Sequence, residues 1–570
     1  MYGFTITVNG KISASKDDIC YKNIVCSNYM IKKFEHDKIF TETEEYIIML
    51  DGVILNRKAL IENNLYNNEE NSETLWLNCI IKLYEDIGEL FFSKLRGSYC
   101  GAIYDKKKDK WIIFVDQIGS KFIFYTKVGS FFCLCEEMGQ MYRMMKENNV
   151  RYTVSIDSAF LLLTFGFMID EKTLCEQVKK IQPGCYIVYE NGGVTEKTWY
   201  ILDNTYDFSI TEHDAINIVD ESFRKAVNSE FNKDVEYGYK HIAALSGGLD
   251  SRMTSLVAHE LGFTKQLNFT FSQSDYLDET IPKIIAKDLR HEWLFKSLDN
   301  GLWLFDVDSV TEHTGGNVIY YGSAHSNSLY RLLNFNLHGI IHSGQISGAL
   351  NGSSVKKYDN TFNHFDYRKA MYSTKFYDYV KHMLTKQINQ ELGWYYYRCL
   401  NGTCYGTQII YNYTESYSPF LDIDFLEQVL HIPITYRINH NLYKKWIITK
   451  YPIAAEYVWE KTGHKITMPT IHIGNREMTY DALLVRSFWG VIKKLGLRSN
   501  NNNIRGMNPI DYYISHNEEL RKYIDSFFQY IEVLPNEELQ LILQKVQNSG
   551  KPIEKLQAIS ILSAVKLFYT

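Results

Sequence analysis

Proline is scarce, nine residues in 570, too few for the proline-rich spacers that hold domains apart. Basic charge is not in excess either. The 61 Lys and Arg face 67 Asp and Glu, a net charge of −6, so electrostatic capture of nucleic acid or of an anionic membrane has little support. The longest apolar run, Ala159 to Ile169, falls well short of the roughly 20 residues that span a bilayer. Met1-Tyr2-Gly3-Phe4 lacks the basic and long apolar regions of a signal peptide. The ten cysteines are scattered, and the close pairs Cys133/Cys135 and Cys399/Cys404 stand beside no histidine cluster at zinc spacing. No HExxH is present. These absences predict a cytoplasmic protein with reduced thiols, no membrane insertion and no nucleic-acid partner, in which any metal is a weakly held Mg²⁺.

Aromatic residues, in contrast, make up 15% of the chain and include 43 Tyr, so the core is expected to be rich in rings. At roughly 150 residues per domain the length allows two to four domains. The first 200 or so residues alternate as strands and turns. Tyr46–Leu50 runs into Asp51-Gly52 and resumes at Val53; Ser98–Tyr104 and Trp111–Val115 flank a charged turn; Phe122–Tyr125 and Ser130–Cys135 flank Gly129. Helical spacing covers Glu73–Lys82 and Glu85–Leu95. The pattern then changes. A helix over Ala215–Phe231 precedes a short buried strand at Ile242–Leu245, a helix over Ser251–Leu261, a strand at Asn268–Phe271, a helix striped by Ile281, Ile284, Ile285 and Leu289, and a strand at Trp293–Phe295. Strand–helix alternation of this kind predicts a parallel sheet with helices on its faces. From Asp366 the chain reads as largely helical, and Ser499–Asn503 as a loop. The expected division is 1–204 and 205–570.

The stretch Leu245-Ser246-Gly247-Gly248-Leu249-Asp250-Ser251 carries the most information. It joins a buried strand to an amphipathic helix. Two glycines let the backbone approach an anion closely, the helix N-terminus offers free N–H groups, and Ser246 and Ser251 add hydroxyls. A carboxylate beside phosphates needs a cation between them, so Asp250 points to Mg²⁺. The alternative is an ordinary turn with Asp250 as a helix cap. No Gly-Lys-Ser/Thr follows, which separates this loop from the Walker type.

The string resembles that of the PP-loop N-type ATP pyrophosphatases, and over nearly the whole chain the order of motifs resembles asparagine synthetases. Asp278-Glu279, Ser343-Gly344 and Ser418-Pro419-Phe420-Leu421-Asp422 are similar to family signatures, although Pro419–Asp422 also reads as an apolar turn seating the next helix. In the first half, Asp51-Gly52-Val53-Ile54-Leu55-Asn56, Leu95-Arg96-Gly97 and Pro183-Gly184 look like class II glutamine amidotransferases. The resemblance implies two domains: an α+β N-terminal-nucleophile-like antiparallel sandwich, then an α/β PP-loop parallel sheet with a helical C-terminal part. It implies ATP and Mg²⁺ as cofactors, with Leu245, Ser246, Gly247, Gly248, Asp250, Ser251, Ser343 and Gly344 at ATP or pyrophosphate. Lys461 stands where relatives carry an essential lysine, with Lys465 as the second choice and a surface lysine as the plain reading.

Two departures stand out. Where amidotransferases open with Met-Cys-Gly, this chain has Tyr2, and Asp51, followed by Gly52, replaces the oxyanion-hole Asn. A phenol with a pKa near 10 is a poor nucleophile at neutral pH, and a carboxylate repels developing negative charge. After Ser343-Gly344 the family continues Glu-Gly-Ala-Asp-Glu; here the sequence is Gln345-Ile346-Ser347-Gly348-Ala349, so a metal carboxylate is lost at Gly348. The expected function is an ATP-dependent amide-forming ligase without glutaminase activity. It would adenylate a small-molecule, sugar-acid or peptide carboxylate and pass the acyl group to ammonia or an amine. The alternatives are a catalytically silent nucleotide-binding protein, or a ring-closing enzyme of the kind represented by lasso-peptide cyclases and β-lactam synthetases. Homodimers are common in the family; nothing in this sequence argues for one.

Overall fold

The computed structural model describes residues 2–12, 18–64, 72–352, 355–473, 476–479 and 506–570; the loop expected at Ser499–Asn503 lies outside them. Twelve strands build the first part: β1 (Gly3–Val8), β2 (Ile19–Tyr21), β3 (Ile24–Tyr29), β4 (Ile39–Glu42), β5 (Tyr46–Ile54), β6 (Gly97–Asp105), β7 (Lys110–Val115), β8 (Phe124–Val128), β9 (Phe131–Cys135), β10 (Val178–Lys180), β11 (Cys185–Glu190) and β12 (Gly193–Thr198). They form two six-stranded sheets in the orders β10-β8-β9-β1-β3-β2 and β12-β11-β7-β6-β5-β4, antiparallel throughout.

Period-two alternation explains how the sheets stack. On β5, Ile47 and Met49 join Phe4, Ile6, Phe132 and Ile187 in the core between the sheets. Ile48 and Leu50 point the other way, onto Trp76, Cys79, Ile80 and Leu83 of the helix Ser72–Ile87. On β9, Cys133 and Cys135 face the helices Met138–Glu147 and Ile156–Phe165. The result is a helix–sheet–sheet–helix stack, which contains the antiparallel sandwich that the resemblance implied.

The second part holds a parallel sheet of β13 (Lys240–Ala244), β14 (Gln266–Ser272), β15 (Glu292–Ser297), β16 (His338–His342) and β17 (Ser416–Tyr417) in the order β15-β14-β13-β16-β17. The helices α1 (Glu212–Tyr237), α2 (Asp250–Glu260) and α3 (Leu277–Leu289) belong to this part. Thr211 and Asp214 form a reciprocal capping box that starts α1, and Gly238 at φ 71° ends it. The sheet is laid outward from β13 in one direction through β14 and β15, and in the other through β16 and β17. That reversal opens a crevice beyond the carboxyl ends of β13 and β16, where ligands bind in such sheets. The expected helical C-terminal half is less regular. Between residues 360 and 412 it is a series of short helical turns, including a π-helical stretch Trp394–Thr403.

Candidate functional site

The crevice holds a cavity of about 510 Å³, walled by Leu245, Ser246, Gly248, Asp250, Ser251, Ser343 and Gly344 together with residues from elsewhere in the second half. The sequence-predicted residues from the ends of β13 and β16 therefore converge. Gly247 stands just behind the wall, because the chain at Glu460 packs onto it: a Cβ there would lie 2.8 Å from the Glu460 Cβ. Gly344 is required for a similar reason, since a Cβ would stand 2.2 Å from the Ser251 amide nitrogen at the start of α2. Gly248 would meet only the Ser246 hydroxyl, at 3.2 Å.

The loop is held by its own polar groups. The Ser246 N–H donates to the Ser251 hydroxyl at 2.9 Å, the two hydroxyls lie 3.0 Å apart, and the Gly248 N–H donates to Ser246 Oγ at 3.2 Å. The Gly247 N–H donates to Asp278 at 2.8 Å. Burial pushes the Asp278 carboxyl up to about 6, opposed by that N–H and reinforced by the nearby charge of Glu460. Burial also raises Asp250, opposed by the hydroxyls of Ser347 and Tyr443 and by the charge of Lys461. Lys461 lies outside the cavity wall, exposed and 5.2 Å from the Trp459 ring centre, yet its charge reaches Asp250. Lys465 is exposed and paired with Glu456 at 2.6 Å.

Arg252 was not singled out from the sequence, and it ties Lys461's segment to the loop. Its side chain is fully buried and donates to the carbonyls of Gly247 (3.1 Å), Ala454 (3.1 Å), Tyr457 (3.3 Å) and Val458 (2.6 Å). Burial lowers its pKa to about 10, so it stays charged at neutral pH. The Glu460 N–H adds a bond to the Gly247 carbonyl at 3.1 Å. An arginine directly after the loop serine is the only sequence signal for this clamp.

The segment after Gly344 departs from the family as the sequence suggested. Residues 345–348 line the cavity without a carboxylate, and the acids of the described wall are Asp250 and Asp278. Ile346 takes the place of the family's glycine and has φ 65°, a left-handed conformation that costs a β-branched residue roughly 1–2 kcal/mol. The Tyr395 hydroxyl donates to the Ile346 carbonyl at 3.2 Å and the Ser418 hydroxyl to the Gln345 carbonyl at 2.9 Å, holding the turn in place. Pro419–Asp422 plays the structural part: Asp422 caps the helix Ile423–His431 by accepting from the Phe425 N–H at 3.1 Å.

At the end of β16, His342 lies between two carboxylates, with Nδ1 2.6 Å from Glu230 and Nε2 2.7 Å from Asp234; His241 reaches the same Asp234 at 2.9 Å. Burial alone would lower the imidazole pKa, but Asp234 and Glu230 outweigh it and hold His342 at about 9. A histidine raised from 6.5 to about 9 contributes stability fully present below pH 6.5 and lost as pH rises through 9. Thermal unfolding is therefore expected to show a Tm that falls across this window, and His342→Asn should flatten that fall.

In the first half the degenerate amidotransferase positions come together in a buried, ion-paired cluster. Tyr2 is 5% exposed, its N–H donates to Glu137 at 3.1 Å, and its ring centre lies 5.7 Å from that of Tyr411. Burial, with Glu137 and Glu136 beside it, raises its phenol well above 10. Asp51 on β5 meets Lys121 at 2.6 Å and Lys38 at 2.9 Å, and Glu415 meets the same lysines at 3.2 and 2.8 Å. Burial opposes ionisation of Asp51, but the two lysines hold its carboxyl well below the usual range. The Asp51 charge is thus compensated rather than free to repel, and what is missing is an amide donor. Gly52, at φ 132°, allows β5 to approach β6: a Cβ would stand 2.1 Å from the Ser98 carbonyl oxygen.

Residues 31–200 match the family described as glutamine amidotransferase domain. Among curated proteins, the chain is 23% identical over 224 residues to asparagine synthetase B [glutamine-hydrolyzing] of Escherichia coli K12, covering 38% of this chain and 33% of that one. A protein of Methanocaldococcus jannaschii carrying the name asparagine synthetase [glutamine-hydrolyzing] 2 is 25% identical over 292 residues, 48% of this chain and 55% of its own length. The chain is asparagine synthetase-like. Its matches span about a third to just over half of these relatives' lengths. Among solved structures, the glutamine phosphoribosylpyrophosphate amidotransferase of B. subtilis superposes with a TM-score of 0.24 at 11% identity, over 51% of this chain and 59% of that one. No helix among the described residues of the asparagine synthetase-like chain is long and apolar enough to cross a membrane.

Proposed function

We propose that the chain is an ATP-dependent ligase that adenylates a carboxylic acid, releases pyrophosphate and passes the acyl group to ammonia or an amine. The observation that carries this reading is the convergence of the Leu245–Ser251 loop with Ser343-Gly344 on one cavity at the reversal point of the parallel sheet. A carboxylate oxygen of the acid attacks the α-phosphorus of ATP, the bond to the bridging oxygen breaks and pyrophosphate leaves. The amine then attacks the acyl carbon, AMP departs and the amine loses a proton. In this reading the Gly248 amide and the N-terminus of α2 bind phosphate oxygens, and the Ser246 and Ser251 hydroxyls turn from each other toward them.

The site fits Mg²⁺, which binds through one or two carboxylates plus substrate phosphates. Asp250 is a partly buried carboxylate on the wall with its pKa raised, so it favours a cation beside it. Bound there, Mg²⁺ would neutralise the departing pyrophosphate. The positive charge of Lys461, carried on the segment that Arg252 clamps to the loop, would stabilise charge building on the α-phosphorus.

A second reading, a protein that binds nucleotide without turning it over, is favoured by one feature: residues 345–350 bring no carboxylate in place of the family's acid at Gly348. Pyrophosphate release in the presence of Mg²⁺ separates the two readings.

We infer further that the N-terminal-nucleophile-like half does not hydrolyse glutamine. Tyr2 supplies no thiol, and Asp51 is engaged by two lysines. Incubation with glutamine should release no glutamate above the rate without protein, with or without MgATP, in a coupled dehydrogenase assay.

A further inference from the structure

The cavity runs beyond the loop to the π-helical stretch Trp394–Thr403, and Arg398 of that stretch is the one lysine or arginine on its described wall. Such stretches are uncommon and concentrate at functional sites. The guanidinium is held in place: Nη2 donates to the Tyr372 hydroxyl at 3.2 Å, and its carbon lies 5.5 Å from the Tyr372 ring centre and 5.8 Å from that of Phe167. Two glycines make the room. A Cβ on Gly402 would stand 2.9 Å from Arg398 Nη1, and one on Gly166 would stand 2.6 Å from the Tyr372 ring.

Among the described residues no carboxylate pairs with Arg398. Guanidinium carries five N–H donors and cannot shed its proton, so a fixed one on a cavity wall calls for an anion. The other basic side chain on the wall, His325, is drawn down to about 4 by burial and is neutral at pH 7. The acids of the wall, Asp250 and Asp278, both belong to the loop side: Asp250 opens α2, and Asp278 accepts from the Gly247 N–H. Around Arg398 the wall is instead aromatic and hydroxylated, with Trp394, Thr403 and Thr407. Among the described residues, a substrate ammonium would find no carboxylate there.

We propose that Arg398 anchors an anionic group of the acid substrate, and that this acid carries no ammonium group. The inference rests on the ligase reading and extends it to substrate class. The nitrogen would then come from ammonia or a second molecule rather than from the acid itself, which sets this chain apart from ring-closing relatives.

The test is calorimetric binding to the full chain with Mg²⁺ and α,β-methylene-ATP, which cannot release pyrophosphate. The probes are succinate, D-glucuronate and L-aspartate, with succinamide and D-glucuronamide as uncharged partners. At least one amine-free acid should bind 10- to 150-fold more tightly than its amide, the range for a hydrogen bond to a charged group, and more tightly than aspartate. Arg398→Gln should erase that difference and Arg398→Lys keep part of it, both binding α,β-methylene-ATP as the wild type does. A preference that survives in Arg398→Gln, aspartate as the tightest ligand, or nucleotide binding with no acid binding overturns the proposal. Loss of nucleotide binding in the wild-type protein would instead overturn the ligase reading.

Discussion

Replacing Asp250 with Asn is expected to lower Mg²⁺-dependent pyrophosphate release by about three orders of magnitude or more, roughly 4 kcal/mol of transition-state stabilisation, without unfolding the protein. The argument has two sides. Chemically, Asp250 is the carboxylate that meets the helix N-terminus and Ser347 on the cavity wall, so under the proposed ligase reading its loss removes the residue that would hold the cation. Energetically, a carboxyl whose pKa is raised by burial costs the folded state stability once pH exceeds its unfolded value. Asn has nearly the same shape and no charge to desolvate. Urea unfolding at pH 7 should therefore show Asp250→Asn at least as stable as the wild type while activity collapses. A variant that unfolds earlier would make Asp250 a structural cap, the plain reading of the loop.

Lys121→Met is expected to destabilise the protein by about 3–5 kcal/mol, the cost of breaking a buried ion pair. Lys38 and Lys121 balance Asp51 and Glu415 two against two, all four nearly inaccessible to solvent. Glu136, beside them, is raised well above its usual range by burial and by Asp51, which favours its neutral form. Removing Lys121 leaves two buried carboxylates with one lysine. The double variant Asp51→Asn/Lys121→Met restores one against one in Lys38–Glu415 and should recover at least half of the loss. Chemical denaturation midpoints of the two variants read this directly. Equal losses in the single and double variants would mean that packing, not charge balance, sets the cost. Because Glu415 comes from the second half and its partners Lys38 and Lys121 from the first, the cluster also ties the halves together.

The loop and the parallel sheet were legible because their signals are local: a buried strand, two glycines and an amphipathic stripe fall within about 20 residues. The structure extends the expected strand at Asn268–Phe271 to Gln266–Ser272 and the helix at Ala215–Phe231 to Glu212–Tyr237, since the mostly polar residues at their ends blur the periodicity. The charge cluster was not legible. Asp51 was noticed for what it replaced, but Lys38, Lys121 and Glu415 are separated by up to 377 positions, and each alone reads as an ordinary surface charge. His342 and Arg398 escaped for the same reason: Glu230 and Asp234 lie more than 100 positions from His342, and Tyr372 and Phe167 reach Arg398 from two distant segments. The stretch between residues 360 and 412 resisted because π and 3₁₀ turns break the 3.6-residue repeat on which helix reading depends. Ile346 hid a positive φ behind a residue type that avoids it.

ATP–pyrophosphate exchange with purified protein, Mg²⁺ and a panel of carboxylic acids tests the central claim most directly. The account predicts exchange that requires one acid, proceeds without glutamine, and leads to an amide when ammonium or an amine is added. MgATP binding with no exchange for any acid, or cleavage of ATP to ADP and phosphate, would contradict it.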